Sequence, residues 1–208
     1  MTSSLFGWED ATWLLIDQWG ILLGLITAVV TLAGLSVAII KRNDLRRWLA
    51  RNRFPDVGGE LQEDEWPDGI VFTVSKVETP RFVIGRCRPR MVSLICTRES
   101  HAAANEVARA AEEAGITVRG IHEIDDPNRP EQTRQVASAM LSTLRESGCR
   151  LPAVDLTGGK IPMSLGAFMA AEEHTAISLY VAASFDEALK VPDMRTARIL
   201  RISKPSNP

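Results

Sequence analysis

The sequence predicts a doubly wound α/β domain with a mostly parallel sheet, preceded by one N-terminal transmembrane helix. Three observations carry this expectation. Residues 20–40 are a 21-residue run without a charge. From residue 69 onward, short β-rich runs alternate with Ala- and Glu-rich stretches that end at glycines. Between the two, the composition turns abruptly acidic. The expected organisation is a membrane helix with a basic helical extension over 1–54, a linker over 55–68 and an α/β domain over 69–208.

At 1.5 Å per helical residue, the uncharged run spans about 31 Å, close to the hydrocarbon thickness of a bilayer. A cleaved secretory signal would have a basic start and an apolar core of about 7–15 residues. Here the start is acidic (Glu9, Asp10, Asp17), the core is longer, and the positive charges come afterwards. Lys41, Arg42, Arg46, Arg47, Arg51 and Arg53 follow the run, and no Lys or Arg precedes it. The positive-inside bias then places the N-terminus outside and everything after the run in the cytoplasm. Trp13 and Trp19 before the run and Trp48 after it suit the two interfacial belts.

Within the run, Gly20, Gly24, Thr27, Thr31, Gly34 and Ala38 recur at spacings of 4, 3, 4, 3 and 4. They form one stripe of small or weakly polar residues, whereas the other faces carry most of the Leu, Ile and Val. Such a stripe lets helices approach closely, and its 3.5-residue period fits a left-handed bundle. It can serve as a packing seam that dimerises an anchor, or its Thr and Gly positions can line a narrow oligomeric pore.

Residues 43–54 read as a basic helix, with Leu45, Trp48 and Leu49 on one side, able to rest on anionic headgroups. The next stretch, FPDVGGELQEDEWPDG, holds six acidic residues, two prolines and three glycines with no basic residue, the composition of a solvated linker.

In the domain, 70–74 is a β-rich run, and 81–84 is expected to pair with it. The run 91–96, MVSLIC, is continuously apolar, as expected of a strand buried on both faces. Residues 100–114 read as a helix closed by Gly115, 116–121 as a strand, and 131–147 as a helix closed by Gly148. A short strand over 153–156, a helix over 162–173, a strand over 177–181 and a final edge strand over 197–202 complete the pattern. This βαβ alternation implies the parallel, doubly wound sheet. Cys87, Cys96 and Cys149 are odd in number and unclustered, which fits a reducing compartment and no metal site.

In open α/β sheets, ligands bind outside the carboxyl ends of the strands. Two strand exits carry suitable residues. One is Thr97-Arg98-Glu99-Ser100. The other is Asp155-Leu156-Thr157-Gly158-Gly159-Lys160, which leads through Ile161 and Pro162 to Met163. Two glycines expose backbone N–H groups, Pro162 opens a helix whose N-terminus carries about half a positive charge, and Lys160 adds a full one. The combination makes an anion site, most suitably for phosphate. A tight strand-to-helix turn, whose glycines only satisfy local geometry, uses the same residues. Neither GxxxxGK[ST] nor GxGxxG is present. Ser100 can contact a ligand or cap the following helix.

The segment DLTGGKIPMSLGAFMAA resembles the signature of CARF domains, Rossmann-like sensors of cyclic oligoadenylates in type III CRISPR systems. Asp155, Thr157, Gly158, Gly159, Met163, Gly166 and Ala167 match the family's D-x-T-G-G-T-K-x-M-like pattern. Lys160 occupies the usual Thr position and Ile161 the usual Lys position, so the charge is shifted by one residue. The turn 97–100 falls where such domains place their first ligand-contacting loop. The likeness covers roughly 70–202 and, with the membrane helix ahead of it, implies a CRISPR-associated membrane effector.

Several expectations follow from the resemblance. The ligand is a cyclic oligoadenylate, with tetra-adenylate favoured, bound across a two-fold pair of domains by Thr97, Arg98, Glu99, Ser100, Thr157, Gly158, Gly159, Lys160 and Met163. No cofactor, metal or DNA or RNA polymer is expected. The location is the prokaryotic inner membrane, with the sensor inside. Many relatives fuse a nuclease, but Arg98–His101 and Arg119–His122 are each only three residues apart, too close for an R-x4–6-H ribonuclease motif. The scattered His101, His122 and His174 read as surface or helix residues. The membrane helix is then the only output element, and the expected output is a ligand-opened pore that depolarises the membrane. A membrane-anchored ring nuclease that degrades the messenger, and an inertly tethered sensor acting through a partner, stay as alternatives.

Overall fold

The computed structural model describes residues 10–40, 58–186 and 191–204. The chain divides into two compact units, Met1–Arg51 and Asn52–Pro208.

The first unit holds one helix, α1 (Asp10–Ile40), of 31 residues, or about 46 Å at the helical rise. It begins ten residues before the apolar run read from the sequence, because nothing in 10–19 breaks a helix. Its segment Trp13–Ala33 is long and apolar enough to cross a membrane and includes Asp17. Large apolar side chains from Leu14 to Leu32 stand exposed along it. All six stripe positions fall on α1. The Thr27 hydroxyl donates to the Leu23 carbonyl at 2.8 Å and that of Thr31 to the Thr27 carbonyl at 2.7 Å. Both hydroxyls are thus satisfied within the helix, which removes the cost of carrying them into an apolar medium. The basic helix read over 43–54 lies outside the described residues.

The second unit runs through β1 (Gly59–Glu60), β2 (Gly69–Thr73), α2 (Glu78–Cys87), β3 (Met91–Thr97), α3 (His101–Glu113), β4 (Thr117–Ile124) and α4 (Pro130–Glu146). It continues through β5 (Pro152–Asp155), α5 (Ile161–Glu173), β6 (Ile177–Asp186) and β7 (Val191–Ser203). The seven strands form one sheet in the order β1-β7-β6-β5-β2-β3-β4. β2 to β6 are mutually parallel, and β7 and β1 are antiparallel additions. The expected fold class is therefore the observed one.

Alternation along the strands builds two cores. Ile70, Phe72, Leu94, Cys96 and Leu179 pack with Val83, Val107 and Ala111 of α2 and α3 on one face. Val71, Ile95 and Val154 pack with Ala137, Leu141, Met163 and Ala167 of α4 and α5 on the other. The MVSLIC strand is buried from Met91 to Cys96, because helices cover both of its faces.

Three expectations change. The segment 81–84 is helix, not strand: Pro80, Val83, Ile84 and Cys87 are the buried residues of α2, a 3.6-residue spacing that outweighs the short RFVI run. The strand read over 197–202 is not at the edge, since β7 is covered by β1 with Gly59 opposite Arg201. The stretch 55–68 carries more than linker. Leu61 is buried, Glu65 bonds Arg201 and Lys204, and Asp68 accepts bonds from the Arg150 and Leu151 N–H groups at 3.0 and 2.7 Å and from the Cys149 thiol at 2.9 Å. Burial pushes the Asp68 carboxyl up, but these hydrogen bonds outweigh it and hold the pKa below the usual value. Acidic composition concealed a segment that is anchored by its own carboxylates.

Candidate functional site: a glycine turn at the carboxyl edge of the sheet

Neighbouring strands β2 and β5 send their chains to opposite faces. β2 continues into α2, which packs in one core, and β5 into α5, which packs in the other. Such a reversal of winding marks, at the carboxyl ends of the strands, the place where α/β folds bind ligands. The turn 156–160 lies there.

Its floor is Asp155, with no solvent exposure. Oδ1 of Asp155 accepts the Thr157 N–H at 3.0 Å and the Thr157 hydroxyl at 2.5 Å. The Thr157 Oγ1 in turn accepts the Val181 N–H of β6 at 2.7 Å. Oδ2 is buried with no hydrogen-bond partner among the described residues. Burial pushes this carboxyl up to about 6 against the pull of the Thr157 bonds.

The two glycines do different work. A Cβ on Gly158 would lie 1.8 Å from the Thr73 carbonyl oxygen, so the turn is pressed against the end of β2. There the Thr73 hydroxyl donates to the Gly158 carbonyl at 2.6 Å, with the Asp155 carbonyl at 3.0 Å. Gly159 has φ +82 and rests over Met163. The Ser164 hydroxyl closes the turn from within α5, donating to the Leu156 carbonyl at 2.8 Å.

Lys160 is the exposed N-cap of α5, with Ile161 as the first helical residue and Pro162 the second. Its ammonium makes no hydrogen bond or ion pair among the described residues.

The second exit is held differently. The Thr97 N–H donates to Ser100 Oγ at 3.0 Å, and the two hydroxyls meet at 3.3 Å. Ser100 is buried and its hydroxyl closes the 98–100 turn back onto Thr97, without a capping hydrogen bond to the N-terminus of α3. Arg98 and Glu99 stand exposed. β2 lies between β5 and β3, which puts the two exits about 10 Å apart. The sheet therefore gathers Thr157 to Lys160 and Arg98–Glu99 on one edge.

Met163 does not join them. It is fully buried in the core beneath Gly159, as an apolar residue on the inward face of α5 must be. Thr157 also turns its hydroxyl inward, onto Asp155 and β6.

Sequence reasoning missed the exit of β2 itself. Ser75 and Lys76 are exposed there, between the two turns. Only the strand order, with β2 central, marks them. Thr73 and Ser164 were missed as well, because their roles depend on contacts across 85 and 8 residues of chain respectively.

No family model and no curated protein matches the chain. Solved structures do. The chain is similar to Can2 from Sulfobacillus thermosulfidooxidans in complex with cyclic tetra-adenylate, at 19% identity and TM-score 0.49, over 58% of this chain and 34% of Can2. It is similar to a type III CRISPR defence DNA nuclease activated by cyclic oligoadenylate, at 19% identity and TM-score 0.49, over 62% of this chain and 20% of the nuclease. Csm6 from Enterococcus italicus, bound to cyclic hexa-2'-fluoro-hexa-dAMP, matches at 11% identity and TM-score 0.43, over 55% of this chain and 34% of Csm6. The chain thus covers about a third or less of each of these proteins.

The groups gathered on this edge are of the kind that can hold an anion. First-turn N–H groups of α5, the helix dipole and the Lys160 ammonium all favour negative charge at one spot. No group of three or more His, Cys, Asp or Glu among the described residues could hold a metal ion. Burial pushes the thiols of Cys87 and Cys149 up to about 12 and that of Cys96 to about 11, so none supplies a thiolate near neutral pH.

Proposed function

We propose that this chain is a membrane effector of type III CRISPR immunity that binds cyclic oligoadenylate, tetra-adenylate in preference, across a pair of its α/β domains and opens a transmembrane pore. The observation that carries the reading is Lys160. It is an ammonium with no partner among the described residues, at the N-terminus of α5 on a turn held close to β2, in a chain that also carries a membrane-length apolar helix.

A second copy fits beside that turn. Ile161, Leu165 and Met169 lie four residues apart on α5 and are 78%, 54% and 46% exposed. This apolar ridge begins next to Lys160, so pairing along it brings two Lys160 ammoniums and two helix N-termini towards one ring of phosphates. A cyclic ligand of even size shares that two-fold symmetry.

A single helix encloses no pore, so opening requires several α1 helices assembled through the Gly/Thr stripe. Moving such an assembly from almost closed to almost open takes a ligand preference for the open state of about 10⁴-fold. No side chain is assigned a catalytic role, and the membrane helix is the output.

Liposomes holding the purified protein and a potential-sensitive dye test the proposal. Cyclic tetra-adenylate added on the domain side should collapse the potential. Binding without collapse would remove the pore, and linear products in the same incubation would turn the reading towards a ring nuclease.

A further inference from the structure

Asp17 stands seven residues before Gly24 and fourteen before Thr31, so it continues the stripe of α1 in the same heptad register beyond Gly20. It is the one charged residue within Trp13–Ala33. Ionisable side chains in membrane segments face a bundle interior or a water-filled cavity rather than lipid. No Lys, Arg or His occurs before Lys41, so no side chain of this segment can neutralise the carboxylate. Leu15, Ile16 and Leu22, on the other sides of the helix, are exposed apolar groups. The register, the surrounding lipid-compatible faces and the absence of a basic partner all direct this charge towards the helix seam and a mobile cation.

We propose that Asp17 is a specificity-determining residue: one carboxylate from each copy forms a ring at the outer mouth of the pore and selects cations over anions. The inference rests on the pore reading above. Rings of acidic side chains concentrate cations and repel anions by their shared field. Placed at the mouth, seven residues before Gly24, the ring acts where the pathway first narrows onto small residues.

Full-length protein in planar bilayers, opened by cyclic tetra-adenylate under a KCl gradient, reads this directly through the reversal potential. The expected result is cation preference in the natural sequence, at least a threefold loss of the K⁺/Cl⁻ permeability ratio in Asp17→Asn, and retention in Asp17→Glu, with ligand affinity equal in all three. A gated current whose selectivity is unchanged in Asp17→Asn would overturn the role of Asp17 while leaving the pore standing. No gated current in the natural sequence would overturn the pore, and the ring with it. Placement is read separately by oxidative cross-linking in membranes: Asp17→Cys should link copies and Leu15→Cys, on the opposite face, should not. Linking through Leu15→Cys alone would overturn the register.

Discussion

The α-carbon of Gly158 sits so close to the end of β2 that any Cβ there would lie 1.8 Å from the carbonyl oxygen of Thr73. The turn that carries Lys160 is therefore locked to the central strand of the sheet by a backbone-to-backbone approach, and the Thr73 hydroxyl bonds it from the same side. A rigid mount of this kind spares the backbone of the turn an ordering cost on binding, while the exposed Lys160 side chain still carries its own.

Gly158→Ala should destabilise the domain by on the order of 3 kcal/mol, since neither backbone can yield without breaking sheet hydrogen bonds. Gly159→Ala has more room but adopts a left-handed φ, which costs about 1–2 kcal/mol. Thermal or urea unfolding of the two variants should rank them in that order; equal losses would show that the close approach is not the controlling feature.

Lys160→Ala should weaken cyclic tetra-adenylate binding at least tenfold, about 1.4 kcal/mol, with unfolding unchanged because the side chain is exposed. Calorimetric titration measures it. Lys76→Ala, on the exit of β2, should weaken binding too, and an affinity unaltered in both variants would remove the anion site.

Asp155 gives a pH dependence of definite sign. Its folded pKa, raised to about 6 from 3.8 by burial, means that the folded state holds this proton longer than the unfolded state. The domain is then least penalised at low pH, loses stability as pH rises from about 4 to 6, and is level above that. The loss from this group is about 3 kcal/mol at 1.36 kcal/mol per unit. Asp155→Asn cannot ionise, so its stability relative to the natural sequence should climb through that window. Parallel pH profiles for the two would exclude the assignment.

Thr27→Leu with Thr31→Leu should abolish ligand-gated conductance and leave ligand affinity intact. The hydroxyls are already bonded within α1, so their loss does not unfold the helix. It widens the stripe with branched apolar groups and blocks a close seam. Conductance at the natural level in liposomes would assign the stripe to packing alone.

How much of this was legible in the chain varies by element. MVSLIC announced a strand buried on both faces, because five apolar residues around a single Ser read as one short buried run, and TGGK announced a turn onto a helix. RFVI was misread, because a short apolar run looks the same in a strand and on a helix until the spacing of Pro80, Val83, Ile84 and Cys87 is matched to a covering sheet. β1 has two residues and no pattern of its own; it exists because β7 offers it a partner. Asp68 looked like linker charge and is instead the carboxylate that holds the entry to β5.

The sequence by itself determined the membrane-length helix, the parallel α/β class and the presence of Lys160 beside a helix N-terminus. These are properties of hydrophobic period, run length and turn chemistry, all local along the chain. Only the tertiary structure decided that Met163 and the Thr157 hydroxyl face inward and that Ser75 and Lys76 stand between the two turns. Each of these depends on which strands are neighbours, and strand order is set by burial on both faces of the sheet at once, a condition no short stretch of sequence contains.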